Sequence, residues 1–421
     1  MRSPTRFIPR NSSFSLIAMP ASFELPSALA APPGGVRPDL LVIAGEHSGD
    51  QHAAGAVRRL LERNPDLNVV AMGGPALRNT GVSFLYDLTQ SSVVGVFEVL
   101  KHLGYFRELF RRILEWVEEY RPRTVCFVDN PGLNLRLCEA LHRRGLSRRG
   151  GGDIRLLYYI GPQVWAWKKG RRFKMARFLD GLAVIFPFEV GSYEDTSLQV
   201  SFVGHPFLAE GYESSLRYDP DGSILLLPGS RRIAVGRILP LLLGGFSELL
   251  KEKPGEKATI ITPDDEIRAL VNREIEKWPA LSERLELADQ SDRVAGKAVL
   301  TSSGTMSLSC ALAWIPGAIV YRAATVTYWL GRTLITIPYL GIANILLEKP
   351  MYPEYIQDRA TPRNLARELK ECIDSPERRE RSRRDTARLR EHLSAPGSET
   401  VDRWLERWIR QPEEASNRRD G

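Results

Sequence analysis

The chain has 421 residues, of which 43% are hydrophobic and 26% are charged, a composition typical of folded globular proteins. Its length favours two domains of ordinary size over one. The net charge of +7 suits an anionic substrate, a membrane surface or nucleic acid, but no RNA-binding motif with interleaved aromatic residues occurs, so we expect no nucleic-acid partner. The four cysteines lack metal-ligand spacing and predict neither a disulfide framework nor a zinc site. No apolar run reaches the roughly 20 residues that would span a bilayer.

Residues 1–37 differ in kind from the rest of the chain, because they are rich in Ser, Pro, Ala and Arg and contain a single acid, Glu24. The apolar stretch from Phe14 to Met19 is short for the core of a signal peptide and lies between two prolines. We therefore predict a disordered extension, or a start codon placed too far upstream with Met19 as the real start. An organellar transit peptide is a further alternative.

Residues 38–212 alternate short apolar runs with amphipathic stretches. The apolar runs predict strands at Leu40–Ala44, Val69–Met72, Thr124–Val128, Arg155–Ile160, Gly181–Ile185 and Val200–Val203. The amphipathic stretches predict helices that run to about Glu62, from about Phe106 to Tyr120 and over Leu133–Arg143. This alternation is typical of a parallel, doubly wound sheet, and we expect a first Rossmann-like domain.

The alternation restarts after a polar segment, Glu210–Asp221, which we interpret as the domain boundary. Residues 213–366 predict a second Rossmann-like domain, with strands at Ile224–Leu227, Ala258–Ile261, Leu285–Ala288, Ala298–Thr301 and Ala318–Tyr321. Residues 367–421 are strongly charged and predict C-terminal helices. Two such domains with a cleft between them place ligands beyond the carboxyl ends of their strands.

Two turns of the second domain are candidates for binding phosphate, since each follows a predicted strand and precedes a helix. The first reads Pro-Gly-Ser-Arg over residues 228–231, and the second reads Ser-Ser-Gly-Thr over residues 302–305. Glycine lets the backbone approach an anion, free amides donate to it, and arginine can bind phosphate with two nitrogens. The pair predicts a nucleoside-diphosphate pocket formed by Gly229, Ser230, Arg231, Ser303, Gly304 and Thr305. Either turn alone is more often an ordinary connection.

A glycine-rich turn follows the first strand of the first domain and reads Gly-Glu-His-Ser-Gly-Asp over residues 45–50. The glycines allow this turn to lie against a substrate, and Glu46 is expected to point into the interdomain cleft. The alternative is a turn whose Ser or Asp caps the following helix. The residues that it offers to a site are Gly45, Glu46, Ser48 and Gly49.

Asp129 follows another strand of the first domain, within the string Val-Asp-Asn-Pro-Gly-Leu-Asn over residues 128–134. The end of a strand in an open α/β sheet is the usual place for a catalytic group. A carboxylate there can take a proton from a sugar hydroxyl as a general base. The equally compatible alternative is that Asp129 caps the turn before the helix at Leu133.

Two further segments combine apolar and basic residues. Trp165 and Trp167 precede a basic cluster over residues 168–172, which suits stacking on a ring or binding an acidic headgroup. The alternative, favoured for Trp165, is a helix start with its tryptophans in the core. The apolar run over residues 92–103 has a basic flank and suits an element that dips into an anionic leaflet, although such runs are usually buried helices. His205, in a turn, either holds a substrate or is structural.

Read together, these motifs resemble the lipid-A-disaccharide synthases, a family of inverting glycosyltransferases with the two-domain GT-B fold. The resemblance extends from about Leu40 to about Ala366, with the motifs in order and at similar spacing. It rests on the strings Ala44–Asp50, Val93–Leu100, Val128–Asn134, Gly161–Trp167, Phe186–Glu189, Phe202–His205, Leu226–Arg231 and Ser303–Thr305.

The resemblance implies that UDP-2,3-diacylglucosamine is joined to 2,3-diacylglucosamine-1-phosphate (lipid X), which yields a β-1,6-linked disaccharide and UDP. It implies Asp129 and Glu46 as acidic cleft residues, Asp129 as the base, and Arg231 as an essential arginine on the diphosphate. Asn344 falls where the family has an asparagine near the nucleotide-sugar, and Tyr321 and Arg322 are further candidates for the same site.

The resemblance also implies a place in the cell and a partner. Substrates with acyl chains imply a cytoplasmic enzyme on the inner face of the membrane, docked through Val93, Val94, Val96, Phe97, Val99, Leu100 and Leu103. It implies no metal or other cofactor. It implies a homodimer, in which the charged C-terminal helices are exchanged between copies or pack back on the first domain.

The chain departs from the family pattern in three strings. The family usually has Ala-x-Leu-Glu after the Ser-Gly-Thr turn, where the glutamate can hold the ribose of UDP, but here Ser309 replaces that acid. His47 replaces a small residue, and Gly-Ile-Ala-Asn over residues 341–344 replaces Ser-Leu-Pro-Asn. These changes leave three alternatives open: another UDP-sugar donor, a UDP-sugar epimerase, or a catalytically silent paralogue that binds lipid or nucleotide.

Overall fold

The computed structural model describes residue 25 and residues 28–89, 103–323, 338–397 and 399–411. These residues form two α/β domains, each with one parallel sheet. Successive side chains of the first strand alternate between two buried cores, with Leu41 and Ile43 in one and Leu40 and Val42 in the other. The first sheet is therefore covered on both faces, and the predicted doubly wound architecture is confirmed.

The first domain is built on a seven-stranded sheet with the order β3-β2-β1-β4-β5-β6-β7. Its strands are β1 (Leu40–Ala44), β2 (Val69–Gly73), β3 (Ser83–Asp87), β4 (Thr124–Val128), β5 (Arg155–Tyr159), β6 (Gly181–Val184) and β7 (Gln199–Phe202). The helices are α1 (His47–Arg63), α2 (Pro75–Arg78), α3 (Leu103–Tyr120), α4 (Pro131–Arg143) and α5 (Arg171–Phe178). The sequence analysis missed β3, because this edge strand is half-buried at every position and its apolar run, Phe84–Tyr86, has only three residues.

The second domain is built on a six-stranded sheet with the order β10-β9-β8-β11-β12-β13. Its strands are β8 (Leu216–Leu227), β9 (Ala258–Thr262), β10 (Leu285–Asp289), β11 (Val294–Thr301), β12 (Gly317–Tyr321) and β13 (Glu354–Ile356). The helices between them are α6 (Arg232–Leu250), α7 (Asp265–Ile275), α8 (Thr305–Leu312) and α9 (Ile342–Leu347). The three residues of β13 are too few to give a pattern, and this strand was not predicted.

The segment interpreted as the domain boundary contains the beginning of β8. That strand starts at Leu216, and its polar first half pairs with β11 through two register shifts, at Ala295/Gly296 and Gly296/Ala298. Backbone pairing does not require apolar side chains, so the polar composition of this segment concealed a strand.

Three helices close the described chain: α10 (Pro362–Asp374), α11 (Pro376–Leu393) and α12 (Val401–Arg410). Helices α10 and α11 pack on the second domain, where Leu365, Leu369, Leu389 and Leu393 are fully buried. The chain then returns to the first domain, because Trp404 and Trp408 of α12 belong to the core on the α1 face of its sheet.

The attachment of α12 combines a close packing contact with a buried ion pair. A Cβ on Gly181 would lie 2.6 Å from the Trp408 ring, so the strand β6 needs glycine at this point. Asp402, which is almost fully buried, accepts a hydrogen bond from Nε of Arg59 on α1 at 3.0 Å. Arg155 donates to the carbonyl oxygens of Trp408 and Gln411. The last described helix therefore packs on the first domain, although the two helices before it pack on the second.

Residues 28–37 do not form the disordered extension that we predicted for this part of the chain. Leu29 packs against the core of the first domain, and Nε1 of Trp116 donates to the carbonyl oxygen of Ala30 at 2.8 Å. Arg37 pairs with Asp153 at 2.8 Å. These contacts come from α3 and from the turn before β5, so they could not be read from the local composition. The remaining residues of the predicted extension, 1–24, 26 and 27, lie outside the described residues.

The helix α6 is long and apolar enough to cross a membrane by length and composition. In this fold it is a core helix, since Val235, Leu239, Leu242 and Phe246 are fully buried in the second domain.

Candidate active site

The turn after β1 lies directly against the turn after β4. A Cβ on Gly45 would lie 2.4 Å from Nδ2 of Asn130, and a Cβ on Gly49 would lie 3.4 Å from the carbonyl oxygen of Val128. A side chain at position 45 would therefore displace the Asn130 amide, and the φ angle of Gly45 is not positive. The contact brings Glu46 and Ser48, both exposed, to the same edge of the sheet as Asp129.

Asp50 closes the predicted glycine-rich turn but does not face a ligand. Its side chain is fully buried and accepts hydrogen bonds from the amides of Gly74 at 2.7 Å, Ala76 at 2.9 Å and Leu77 at 3.1 Å. This carboxylate therefore satisfies the first amides of α2, a helix that the sequence places far from it.

The backbone at Asp129 and Asn130 has an uncommon conformation, with φ angles of 48° and 43° in two successive non-glycine residues. Nδ2 of Asn134 donates to the carbonyl oxygens of Val128 at 3.1 Å and Asp129 at 2.8 Å, and the hydroxyl of Tyr158 also donates to the Asp129 carbonyl. These bonds hold the turn in a conformation that costs energy, which is common at functional sites.

The capping alternative for Asp129 is not what the structure shows. The side chain of Asn130 caps α4 by accepting from the amide of Leu133 at 3.3 Å, which leaves the carboxylate of Asp129 for another partner. Sequence reasoning missed the roles of Asn130 and Asn134, although both lie in the string that pointed to Asp129.

Glu46 responds to the charges of both other charged candidates, Asp129 in its own domain and Arg231 in the second domain. Burial raises the pKa of Asp129, while hydrogen bonds from the Asn130 amide and the Ser48 hydroxyl lower it. Although the Glu46 side chain is exposed, the protein around it raises its pKa, the charge of Asp129 raises it further, and the charge of Arg231 lowers it. Arg231 of the second domain is thus close enough to act on a carboxylate of the first.

The two predicted phosphate turns of the second domain are neighbours. They follow the paired strands β8 and β11, and the amide of Ser302 donates to the carbonyl oxygen of Leu227 at 2.8 Å. Gly229 has a φ angle of 104°, and a Cβ there would lie 2.9 Å from Oγ of Ser302. Both the conformation and the close approach require glycine.

Two helices begin side by side at these turns. Arg231 precedes α6 and Gly304 precedes α8, and neither N-cap residue has a side-chain capping bond. The first amides of both helices are therefore free of side-chain caps and suited to binding an anion. Arg231, Ser230, Gly304 and Thr305 are exposed there, and Gly229 and Ser303 are half-buried.

Asn344 is not available for direct contact with a nucleotide-sugar in this conformation. It is fully buried, donates to the carbonyl oxygen of Tyr352 at 2.7 Å and to Glu354 at 2.9 Å, and accepts from the Tyr352 amide at 2.9 Å. Glu354, which sequence reasoning missed, also accepts from the amides of Leu340 and Gly341. This pair holds the turn before α9, so Asn344 is a positioning residue here.

The other predicted site residues are placed as follows. Tyr321 ends β12 half-buried, and Arg322 after it is exposed. Ser309, at the position of the family glutamate, is buried on α8. The predicted membrane residues Val93, Val94, Val96, Phe97, Val99 and Leu100 lie outside the described residues, and Leu103 is the first residue of α3. In the described part of the chain, no group of three or more His, Cys, Asp or Glu residues has the arrangement of a metal site.

Aromatic residues pack at the junction between the domains. Trp165 is half-buried and contacts the Phe188 ring edge-to-face, Phe188 stacks on Phe186, and Phe186 packs against His205. His205 is buried, and its Nδ1 accepts from the Phe207 amide at 3.2 Å. The structural alternative therefore describes the contacts of His205, whereas Trp165 is only half-buried and lies in a turn before α5 begins.

Glu189 is a buried carboxylate at this junction that the sequence analysis did not single out. It accepts from the amides of Ile185 at 3.2 Å and Phe186 at 3.1 Å. Burial raises its pKa to about 7, although those amide bonds lower it. The folded protein therefore holds a proton on this group more tightly than the unfolded chain does.

A pH-dependent contribution to stability follows from Glu189. Because the pKa of Glu189 is higher in the folded protein than in the unfolded chain, protonation of this side chain stabilises the fold at low pH. This contribution to the free energy of unfolding is lost as the pH rises from about 4.5 to about 7. We expect the free energy of unfolding of the wild type to fall relative to Glu189→Gln between about pH 4 and about pH 8, as measured by urea denaturation. If the free energies of unfolding of the wild type and Glu189→Gln differ by the same amount at both pH values, the raised pKa of Glu189 is contradicted.

The geometry can be compared with proteins of known family. A family model described as lipid-A-disaccharide synthetase matches residues 40–406. The chain belongs to this family. The lipid-A-disaccharide synthase of Geobacter sulfurreducens is 34% identical over 373 residues, which cover 85% of this chain and 94% of that protein. The lipid-A-disaccharide synthase of Nitrosococcus oceani is 33% identical over 379 residues, which cover 86% and 94%.

Solved structures share the fold at low identity. The glycotransferase of kitacinnamycin aligns with a TM-score of 0.54 and 14% identity over 89% of this chain and 99% of its own. A variant of Os79 from O. sativa in complex with UDP aligns with a TM-score of 0.56 and 13% identity over 88% and 99%. The GT-B fold and membership of the lipid-A-disaccharide synthase family, both predicted from the motifs, are confirmed, and the chain is a glycosyltransferase.

Proposed function

We propose that the chain condenses UDP-2,3-diacylglucosamine with lipid X and releases UDP and the β-1,6-linked lipid A disaccharide 1-phosphate. The proposal is carried by one observation: Glu46, beside Asp129 at the strand ends of the first domain, lies within the electrostatic reach of Arg231, at a phosphate-type turn of the second. A donor held by the second domain would thus present its anomeric carbon to a base in the first.

The proposed reaction is a direct displacement. Asp129 takes the proton of the acceptor 6-hydroxyl, and the oxygen forms a bond to the anomeric carbon while the bond to the UDP oxygen breaks, with inversion. Burial raises the pKa of Asp129, which makes its carboxylate a stronger base than an exposed aspartate. The strained turn held by Asn134 and Tyr158 supports a positioned side chain rather than a mobile one.

UDP leaves with negative charge on its diphosphate. In this proposal the amides at residues 229–231 and 303–305 and the guanidinium of Arg231 stabilise that charge without a metal, next to the starts of α6 and α8, which lack side-chain caps. Glu46 accepts from a hydroxyl of the bound sugars in this proposal. Tyr321 and Arg322, at the end of β12, lie on the same edge of the sheet and are proposed to contact the donor.

A turnover assay tests the proposed reaction. The purified chain is given both substrates in detergent micelles, and UDP release and the disaccharide are followed by mass. Product formation would show that Ser309 is tolerated in place of the family glutamate. A folded protein that binds lipid without forming product would instead favour another donor or a silent paralogue, and activity that does not depend on acyl chains would favour a different UDP-sugar enzyme.

We also propose that the protein is cytoplasmic and lies on the inner face of the membrane. Support comes from the acyl chains of both proposed substrates and from the apolar run at residues 93–103 with its basic flank. We expect Val96→Ser combined with Val99→Ser to reduce sedimentation with liposomes, because each change removes apolar contact area. Val36→Ser, at a side chain that is 61% exposed, is the matched control. Unchanged sedimentation of the double variant would contradict the membrane role of this run.

We propose a homodimer as the working assembly. In the proposed dimer, the contacts that α12 makes here with α1 and β6 of its own chain are made instead with a second copy. Sedimentation velocity tests this, and a monomer at every concentration would exclude it.

A further inference from the structure

A basic and aromatic surface on the first domain has no role in the proposed chemistry. It consists of Trp167, Lys168, Lys169, Arg171, Phe173, Lys174 and Arg177, and we call it the α5 surface. Trp167 is 55% exposed and Phe173 is 52% exposed, although large aromatic side chains usually bury most of their area. Two such residues within seven positions are more than the scattered exposed apolar residues of an ordinary protein surface.

The helix α5 separates a buried face from this surface. Met175 and Phe178 pack into the core of the first domain, whereas Phe173, Lys174 and Arg177 are exposed on the opposite side. The exposure of the aromatic rings therefore does not result from loose packing of the helix. They belong to an outer face that combines apolar area with positive charge.

The cations of the α5 surface are mostly without acidic neighbours. No Asp or Glu occurs over residues 161–179, which contain six Lys and Arg residues. In the described part of the chain only Arg172 of these six is in an ion pair, with Asp195 at 2.6 Å. Two of the others lie over an aromatic ring, since Nζ of Lys168 lies 4.3 Å from the centre of the Trp167 ring and the Arg171 guanidinium lies 5.4 Å from it.

An open depression lies beside this surface and adds to its positive charge. It has a volume of about 710 Å³ and is lined by Phe173, Arg177, Arg149 and His142 among other residues. Asp195 also borders it, but that carboxylate is bound by Arg172 through both oxygens. A phosphodiester headgroup is the size and charge that such a depression can accept next to the exposed rings.

The α5 surface and the apolar run both follow strands of the first sheet. β3 and β5 are strands of one parallel sheet, so the chain leaves both at the same edge, and the tryptophan segment follows β5 as the apolar run follows β3. Tryptophan prefers the boundary between water and lipid, and lysine and arginine extend their charge to headgroups while their stems stay in apolar surroundings.

We propose that the α5 surface binds the anionic surface of a lipid bilayer, as a second contact separate from the apolar run at residues 93–103. The aromatic rings enter the headgroup region, and the lysines and arginines bind lipid phosphates. This inference rests on the proposed membrane location and adds a residue set that fixes the orientation of the first domain on the membrane.

Vesicle binding tests the α5 surface with the full chain. Sedimentation is measured with vesicles of phosphatidylcholine alone and of equimolar phosphatidylcholine and phosphatidylglycerol. We expect Lys168→Gln, Lys169→Gln and Lys174→Gln together to weaken binding to the anionic vesicles about tenfold to a hundredfold at low salt. Each lysine near the membrane surface contributes electrostatic attraction to the anionic lipids. We expect Trp167→Ser with Phe173→Ser to weaken binding to both kinds of vesicle.

A triple variant of α11 separates this surface from net charge. Arg381→Gln, Arg384→Gln and Arg388→Gln remove the same charge from exposed positions of α11 and should leave binding nearly unchanged. An equal loss in these variants would overturn the α5 surface in favour of net charge. Thermal unfolding of all variants checks that the exposed substitutions leave the fold intact.

The remaining outcomes distinguish this inference from the proposed function. If Val96→Ser with Val99→Ser abolishes binding and the α5 variants keep it, the α5 surface is overturned while the apolar run stands. If the α5 variants lose binding and Val96→Ser with Val99→Ser keeps it, the membrane role of the apolar run is overturned while the α5 surface stands. A wild type that binds no vesicles would overturn both membrane contacts, and turnover in detergent micelles would still decide the reaction separately.

Discussion

Replacement of Asp129 with Asn is expected to lower the turnover number by about 10²- to 10⁴-fold, because the amide keeps the shape of the side chain but cannot take the proton of the acceptor hydroxyl. The strained backbone and its hydrogen bonds involve the carbonyl of residue 129, so they survive this change. UDP release and disaccharide formation in micelles measure the effect.

The acid side of the pH profile gives this prediction a second readout. Burial raises the pKa of Asp129, so the wild-type rate should fall on acidification at a higher pH than for an exposed aspartate. The residual rate of Asp129→Asn should lack that dependence. Asp66→Asn, an exposed acid near the opposite edge of the sheet, is the matched control and should retain the wild-type rate. Near wild-type turnover of a folded Asp129→Asn protein would rule out Asp129 as the base.

Replacement of Arg231 with Ala is the second change with a large expected effect, a loss of about 10²- to 10³-fold in kcat/KM. Its guanidinium lies at the turn where the uncapped ends of α6 and α8 meet and acts on Glu46 across the cleft. In the alanine variant, the negative charge on the leaving diphosphate would lose both a hydrogen-bond donor and a neighbouring positive charge. Steady-state kinetics with the donor varied, and UDP binding by calorimetry, measure the loss.

The neighbouring residue provides the control for Arg231. Arg232 is also an exposed arginine, but it pairs with Glu266 at 2.8 Å and lies one residue further along the helix. We expect Arg232→Ala to keep most of the activity. Arg231→Lys should recover only part of it, because an ammonium cannot bind two phosphate oxygens in the fork geometry of guanidinium. Similar losses for both alanine variants would point to net charge instead of a specific contact.

Much of the fold was predictable because buried parallel strands leave a strong local pattern. The inner strands β1, β4 and β5 are buried at every position, so each reads as an apolar run followed by a turn, with a polar residue only at the start of β4 (Thr124) and of β5 (Arg155). The missed strands β3 and β13 lack this pattern, since one is half-buried along its length and the other has three residues. The order of the strands needed pairing between distant segments and was not predicted.

The candidate site was predictable in its location more than in the orientation of its side chains. Turns after buried strands identified residues 45–50, 128–134, 228–231 and 302–305, and the structure brings the turns of each domain together in pairs. Asp50 lies in one of these turns and Asn344 was implied by the family resemblance, yet both are buried. Asp50 accepts from backbone amides, and Asn344 bonds to the backbone of Tyr352 and to Glu354. Their partners come from other segments, and no local pattern reveals them.

The sequence by itself determined the family, the two-domain architecture and the turns that carry glycine, carboxylate and arginine, because burial of strands and the chemistry of these residues act over a few neighbouring positions. Only the tertiary structure decided which carboxylates face the cleft, that Asn130 rather than Asp129 caps α4, and that α12 returns to the first domain. These outcomes depend on which distant groups satisfy each buried donor and acceptor, and that competition is settled only when the two domains are assembled.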